Sequence, residues 1–131
     1  MGEEDRLCEA VLGCALTVHK VLGPGLLERV YERCLAHELG TAGIKFERQI
    51  LLPVIYDGLG IDEAYRIDLL IARHIVVEVK AVDRVVGVHR AQLLSYMKLG
   101  GFSLGYLLNF NSALMKDGIV RLRNGFPREA P

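Results

Sequence analysis

The stretch Ala64-Tyr65-Arg66-Ile67-Asp68-Leu69-Leu70-Ile71-Ala72-Arg73-His74-Ile75-Val76-Val77-Glu78-Val79-Lys80-Ala81-Val82 decides how the rest of the chain is read. Two β-prone, largely apolar runs flank Ala72-Arg73-His74, which has the length of a hairpin connection. If Ile71 pairs with Ile75, Asp68 falls directly opposite Glu78. Side chains alternate along a strand, so Lys80 shares their face. The other face carries Ile67, Leu69, Ile71, Ile75, Val77 and Val79, an apolar surface suited to a core. A slip of one residue would set Asp68 against Val79, so this register is itself an expectation. Facing Cβ atoms lie about 4.5–5.5 Å apart, and like charges so placed destabilise a sheet. A cation between the two carboxylates removes the conflict.

Two oxygen donors with an ammonium alongside, and no histidine or cysteine on the same face, suit a hard cation, Mg²⁺ or Mn²⁺ rather than zinc. Such an ion could hold a phosphate oxygen, lower the pKa of its water and offset charge in an in-line displacement. Lys80 would orient or help deprotonate that water, or stabilise the pentavalent phosphorus centre. The plainer reading makes Asp68, Glu78 and Lys80 the solvated face of an amphipathic hairpin.

Working outward, Leu7, Val11, Cys14, Val18 and Val21 recur at helical spacing and predict a helix from about Glu4 to Leu22. Gly23-Pro24-Gly25 stops it. A second helix is expected from Leu26 to about Leu39, with Leu27, Tyr31, Cys34, Leu35 and Leu39 inward. Ile44–Tyr56 reads as a strand ending at the turn signal Asp57-Gly58. Ala64–Ile71 and Ile75–Val82 are the hairpin strands, followed by a helix over Val88–Leu99. Leu104–Phe110 is apolar enough for a central strand. Asp117-Gly118 marks a turn, Ile119–Arg123 a last edge strand, and Asn124–Pro131 a loose tail. The order is ααβββαβ(β), an α/β (α+β) class with a mixed sheet flanked by helices.

With 131 residues the chain reads as one domain, 1–131, with its core at about 15–123. Its apolar share of 51 % leaves apolar surface to spare, which points to a homodimer interface. Lys plus Arg and Asp plus Glu both number 16, so the basic excess of a dedicated nucleic-acid binder is absent from the chain as a whole. Local basic contacts are expected from Arg73, Arg84, Arg90, Lys98, Arg121 and Arg123. Cys8, Cys14 and Cys34 are odd in number and lack metal-ligand spacing, which suits neutral thiols in a reduced, cytoplasmic setting. Glu3, Glu4 and Asp5 have the wrong sign for a signal peptide, and no apolar run reaches the ~18–20 residues of a membrane span.

Five blocks occur in a telling order. His19-Lys20-Val21-Leu22-Gly23-Pro24 runs into Gly25-Leu26-Leu27-Glu28-Arg29-Val30-Tyr31, a GxxExxY match. Tyr65-Arg66-Ile67-Asp68, Glu78-Val79-Lys80-Ala81, His89-Arg90-Ala91-Gln92-Leu93-Leu94-Ser95-Tyr96 and Leu107-Leu108-Asn109-Phe110 follow. The series resembles the GxxExxY protein family, a branch of the PD-(D/E)XK nuclease superfamily, over roughly Ala15–Arg121. Ile67 stands where the superfamily's name implies a proline.

The resemblance implies a restriction-endonuclease-like αβββαβ core, which agrees with the order read above. It implies Asp68, Glu78 and the Val79 carbonyl as metal ligands, Lys80 as the catalytic lysine, and Glu28 near the metal. It also places Gln92 and Tyr96 along the site. For Glu28 the bland alternative is stabilisation of a helix N-terminus. For Gln92 and Tyr96 it is a helix face bonded to the sheet. Tyr31 reads as a packing residue with a hydroxyl to satisfy, His89 as a phosphate contact or a surface group, and His37 and His74 as solvent-facing.

The expectation is a Mg²⁺- or Mn²⁺-dependent phosphodiesterase, a DNA nuclease using a metal-activated water, in a chain that does not enter membranes. The alternatives are a nuclease-fold subunit that binds nucleic acid or protein without catalysis, and a hydrolase of some other phosphodiester.

Overall fold

The structure, a computed structural model, describes residues 2–125. Residues 126–131, most of the tail expected to be loose, lie outside the described residues. Asn124 is tied down, its N–H donating to the Ser103 carbonyl at 2.9 Å.

Helix α1 (Glu3–Leu22) buries Cys8, Val11, Cys14, Ala15 and Val18 at three- and four-residue intervals. Its acidic first turn suits the positive end of the helix dipole. Val21, the last of the expected inner series, is exposed, while Leu22 beside it packs against the core. Helix α2 (Glu28–Thr41) begins two residues later than expected. Leu26 and Leu27 stay outside it: Leu27 is extended (φ −75°, ψ 148°), and the Leu26 N–H goes to the Tyr31 hydroxyl. Leu27, expected inward, is therefore exposed, while Tyr31, Leu35 and Leu39 are buried.

Strands β1 (Phe46–Tyr56), β2 (Leu59–Ile71), β3 (Ile75–Lys80), β4 (Leu104–Asn109) and β5 (Ile119–Arg123) form one sheet in chain order. Helix α3 (Gly87–Gly100) makes the crossover between β3 and β4, the one parallel pair; the other pairs are antiparallel. Every residue of β4 is buried, as its apolar run and central position demand. Strand β2 starts five residues before the expected Ala64, because Asp57 (φ 48°) and Gly58 (φ 81°) make a tight turn that extends the hairpin with β1. Pro53, which cannot donate to a ladder, sits on an edge strand at the register shift between Leu52 and Val54.

Helices α1 and α2 cover one face of the sheet over Leu69, Ile71, Val77, Val79, Tyr106 and Leu108. Helix α3 covers the other, its Leu93 and Met97 packing with Tyr65, Ile67, Leu70, Val76 and Leu107. The face expected to hold the charges also holds a second core at one end. Gly105 allows that approach, since a Cβ there would stand 2.7 Å from the Met97 sulfur.

Candidate metal and phosphodiester site

The pairing of β2 with β3 begins at Ile71↔Ile75, as the hairpin reading requires, and continues through Leu70↔Val76 and Leu69↔Val77. There the ladder ends. At the next step the side chains replace the main chain: the Asp68 N–H donates to Glu78 Oε2 at 2.9 Å, and the Val79 N–H donates to Asp68 Oδ2 at 2.9 Å. The strands part, and both carboxylates occupy the opening. Asp68 and Glu78 are therefore neighbours, although not the main-chain cross-strand pair expected.

Alternation along β2 changes at the same point. Ile67 packs beneath α3 with Tyr65 and Leu70, not with Leu69 and Ile71 on the other face. Across the hairpin, Arg48 pairs with Leu69 and Ile50 with Ile67, while the intervening Gln49 takes a left-handed φ of 53°. The kink at Gln49, opposite the break in alternation between Ile67 and Leu69, re-aims Asp68. Strand β3 ends at Lys80, two residues before the expected Val82, because the Val82 N–H is taken by the Asn109 side chain.

In a strand, the N–H and C=O of one residue point to the same side. Since the Val79 N–H meets Asp68, the Val79 carbonyl faces the same opening. Glu28, the first residue of α2, accepts from the Ala81 N–H at 3.3 Å just beyond it. Lys80 Nζ donates to Gln92 Oε1 at 3.3 Å. Tyr96, one turn after Gln92, stacks on Tyr65 with ring centroids 4.6 Å apart. The structure thus gathers Asp68, Glu78, Val79, Lys80, Glu28, Gln92 and Tyr96 at one end of the β2–β3 opening.

The electrostatics follow from burial and crowding of charge. Burial pushes the Asp68 carboxyl up to about 6, with Glu32 and Glu28 adding repulsion and the Val79 N–H and Lys80 opposing it. Burial, then the Asp68 charge, pushes Glu78 up to about 8 against the Asp68 N–H and Lys80. Burial also raises the Tyr96 phenol, and Glu78 adds to the effect. Two desolvated carboxylates this close favour a proton or a metal ion between them.

The donor set fits a divalent cation. Asp68 Oδ2 and Glu78 Oε2 are committed to main-chain N–H groups, which leaves the second oxygen of each carboxylate for a cation. Among the described residues Asp68 Oδ1 has only a long contact, 3.5 Å, to Gln49 Nε2. Among the described residues no three His, Cys, Asp or Glu side chains form a ready cage. Mg²⁺ needs none, since one or two carboxylates with waters and substrate phosphate suffice.

Several residues here were not legible beforehand. Glu32, one turn after Glu28, is buried; its Oε2 accepts from Arg48 Nη2 at 3.1 Å and Nε at 3.3 Å, and its Oε1 from Gln49 Nε2 at 2.6 Å. Gln49 Oε1 in turn accepts from Arg66 at 3.3 Å. The four-residue spacing of Glu28 and Glu32 was the available signal. Arg48, Gln49 and Arg66 gave none, because the kink that brings them in breaks the strand period.

Other residues have local duties. His89 Nδ1 accepts the Val86 N–H and caps α3. His74, expected in solvent, meets Glu4 at 2.6 Å, and Arg123 joins the same carboxylate at 2.7 Å. Arg73 pairs with Glu47. His19 Nε2 meets the Ser112 carbonyl at 2.8 Å.

No curated protein and no solved structure matches the chain. A profile of the PD-(D/E)XK nuclease superfamily matches residues 5–122, nearly all of the chain and every strand except the last residue of β5. The mixed five-stranded sheet with three helices is the restriction-endonuclease-like arrangement of that group. A nuclease-type phosphodiester site is its common property, and the chain belongs to the PD-(D/E)XK nuclease superfamily.

Proposed function

We propose that this chain is a Mg²⁺- or Mn²⁺-dependent nuclease of the GxxExxY branch, hydrolysing DNA phosphodiester bonds at Asp68, Glu78 and Lys80. The observation that carries the proposal is the pair of desolvated carboxylates in the β2–β3 opening, with a lysine beside them and an open groove leading away from Asp68. Asp68, Glu78 and the Val79 carbonyl would hold the cation, with Glu28 at its outer side. The ion would act as a Lewis acid on the phosphoryl oxygen and lower the pKa of a coordinated water. Lys80, half-buried and held toward Gln92, orients the attacking water or stabilises the charge that develops on phosphorus. Gln92 fixes the ammonium, and Tyr96 presents its hydroxyl to the same region.

Incubation with single-stranded, double-stranded and branched DNA, with Mn²⁺ or with EDTA, tests this reading. Cleavage should require the ion and fall about 100-fold or more in Lys80→Ala, the usual scale for losing one stabilising donor. Absence of cleavage by the native protein, or equal cleavage by the variant, rejects it.

One observation favours a second reading, a nuclease-fold subunit that binds without catalysis. Each carboxylate already accepts a main-chain N–H, so the opening could be held together with a proton in place of the ion. Calorimetric titration separates the two: the catalytic site takes up Mn²⁺ and loses it in Asp68→Asn, whereas the binding subunit takes up none.

A further inference from the structure

An open groove of about 510 Å³ runs from Asp68 between α2 and the β1–β2 hairpin. Its lining includes Arg29, Arg33, Arg48 and Arg66, four of the chain's 16 basic side chains. A chain of zero formal charge has gathered them on one surface, next to the carboxylates that would repel a phosphate unaided. None of the six basic residues singled out from the sequence lines it.

The four arginines divide by role. Arg48 donates twice to the buried Glu32 and is held in place by it. Arg66 bonds only the neutral Gln49 amide, and among the described residues neither Arg29 nor Arg33 forms an ion pair. Arg29, Arg33 and Arg66 are exposed, so a ligand can reach them. A guanidinium offers a planar fork that matches phosphate oxygens. The lining has no aromatic ring on which a base could stack.

We propose that this groove is the track for the phosphodiester backbone of a nucleic-acid strand. Arg29, Arg33 and Arg66 bind phosphates flanking the one presented at Asp68, and Arg48 with Glu32 sets the groove's wall. Recognition runs through the backbone and is independent of base sequence. The inference rests on the catalytic reading only for the direction in which the strand leads, because the groove's charge stands without it.

The test uses fluorescence anisotropy with labelled oligonucleotides of two unrelated sequences, as single-stranded DNA, duplex DNA and single-stranded RNA. It is run with Mg²⁺ in a Lys80→Ala background, so that nothing is cut. The Arg29→Ala/Arg33→Ala/Arg66→Ala protein is compared with Lys20→Ala/Lys45→Ala/Lys116→Ala, which removes three exposed charges elsewhere. The groove variant should bind at least about 30-fold more weakly on whichever arm the native surface accepts. Its log–log salt slope should be shallower by about 2, since each lost phosphate contact on a single strand removes about 0.7. The control should change less than about threefold, and the two sequences should bind alike. Equal weakening by both variants, binding by neither parent nor control, or strong preference for one sequence overturns the proposal.

Hydrolysis of bis(p-nitrophenyl) phosphate, which is too small to reach the arginines, separates this proposal from the catalytic one. Arginine-dependent binding without hydrolysis of either substrate leaves the groove and removes the nuclease. Hydrolysis of the small ester with arginine-independent oligonucleotide binding does the reverse.

Discussion

The hydroxyl of Tyr31 donates to the Gly23 carbonyl at 2.6 Å while accepting the Leu26 N–H at 3.0 Å, so one side chain of α2 holds both ends of the turn before it. Its ring is fully buried and stacks on Phe110 at 4.8 Å. Gly23 and Gly25 take φ of 68° and 106°, which suits glycine, and Asn111 accepts the Gly25 N–H. The spacing of Gly25, Glu28 and Tyr31 is thus a structural device that delivers Glu28 to the end of β3.

Tyr31→Phe removes both bonds to the partly exposed turn and should cost about 0.5–1.5 kcal/mol in urea unfolding. Tyr65→Phe should behave oppositely. Among the described residues the Tyr65 hydroxyl is buried without a hydrogen-bond partner, so its removal should be neutral or stabilising by up to about 1 kcal/mol. A Tyr31→Phe protein as stable as the native one would break this account of the turn.

Stability of the metal-free protein should fall as pH rises. Burial pushes the Asp68 and Glu78 carboxyls up to about 6 and about 8 in the fold, above the ~4 of unfolded carboxylates. The folded state holds these protons more tightly, so their stabilisation is whole below about pH 4 and is lost as pH rises through about 8. Thermal melts in EDTA should therefore decline across that window more steeply for the native protein than for Glu78→Gln. Mg²⁺ should restore the native midpoint most at the alkaline end. Parallel profiles for the two proteins would refute this.

Glu32→Gln should weaken the wall between α2 and β1. Arg48 is partly exposed, so solvent reduces the cost to about 1–2 kcal/mol. If Gln49 transmits the position of Glu32 to Asp68, cation affinity of the folded variant should also fall by about tenfold, the scale for losing a group that orients a ligand. An unchanged Mn²⁺ titration would reduce Glu32 to a packing role.

Gly105→Ala places a methyl group 2.7 Å from the Met97 sulfur and 3.0 Å from Leu93 Cδ1. Crowding of this kind should cost about 1–3 kcal/mol, read from the urea midpoint. A native-like midpoint would show that α3 can move off β4.

How far the sequence carried depended on which residues obey a period. The β3–β4 pair and α3 lie close to where apolar runs and glycines put them, because burial on two faces leaves a plain signature. The start of the β2–β3 register followed from a three-residue connection. The exchange of side-chain for main-chain bonds at Asp68 did not, since no periodic rule anticipates a ladder that stops to admit two carboxylates. Lys80 was read from alternation along its strand, and Glu28, Gln92 and Tyr96 were added by family likeness alone. Glu32 offered only its four-residue spacing from Glu28, and the four arginines offered nothing, because α2, β1 and β2 meet through long-range contacts such as Arg48 with Glu32, which leave no mark on local sequence.

The kink at Gln49 also divides the hairpin mechanically. Past Val54 the strands have only each other, and Ile55–Ala64 is exposed throughout. Fraying from the Asp57-Gly58 end runs inward until it meets Tyr65 and Ile67, which are anchored beneath α3. Arg66 sits between those anchors, so a loosened tip does not carry it off. Amide protons at the tip should exchange with solvent far sooner than those of β3 and β4, and trimming the overhang to a short turn beyond Val54 would leave the Asp68–Glu78 opening at its base in place.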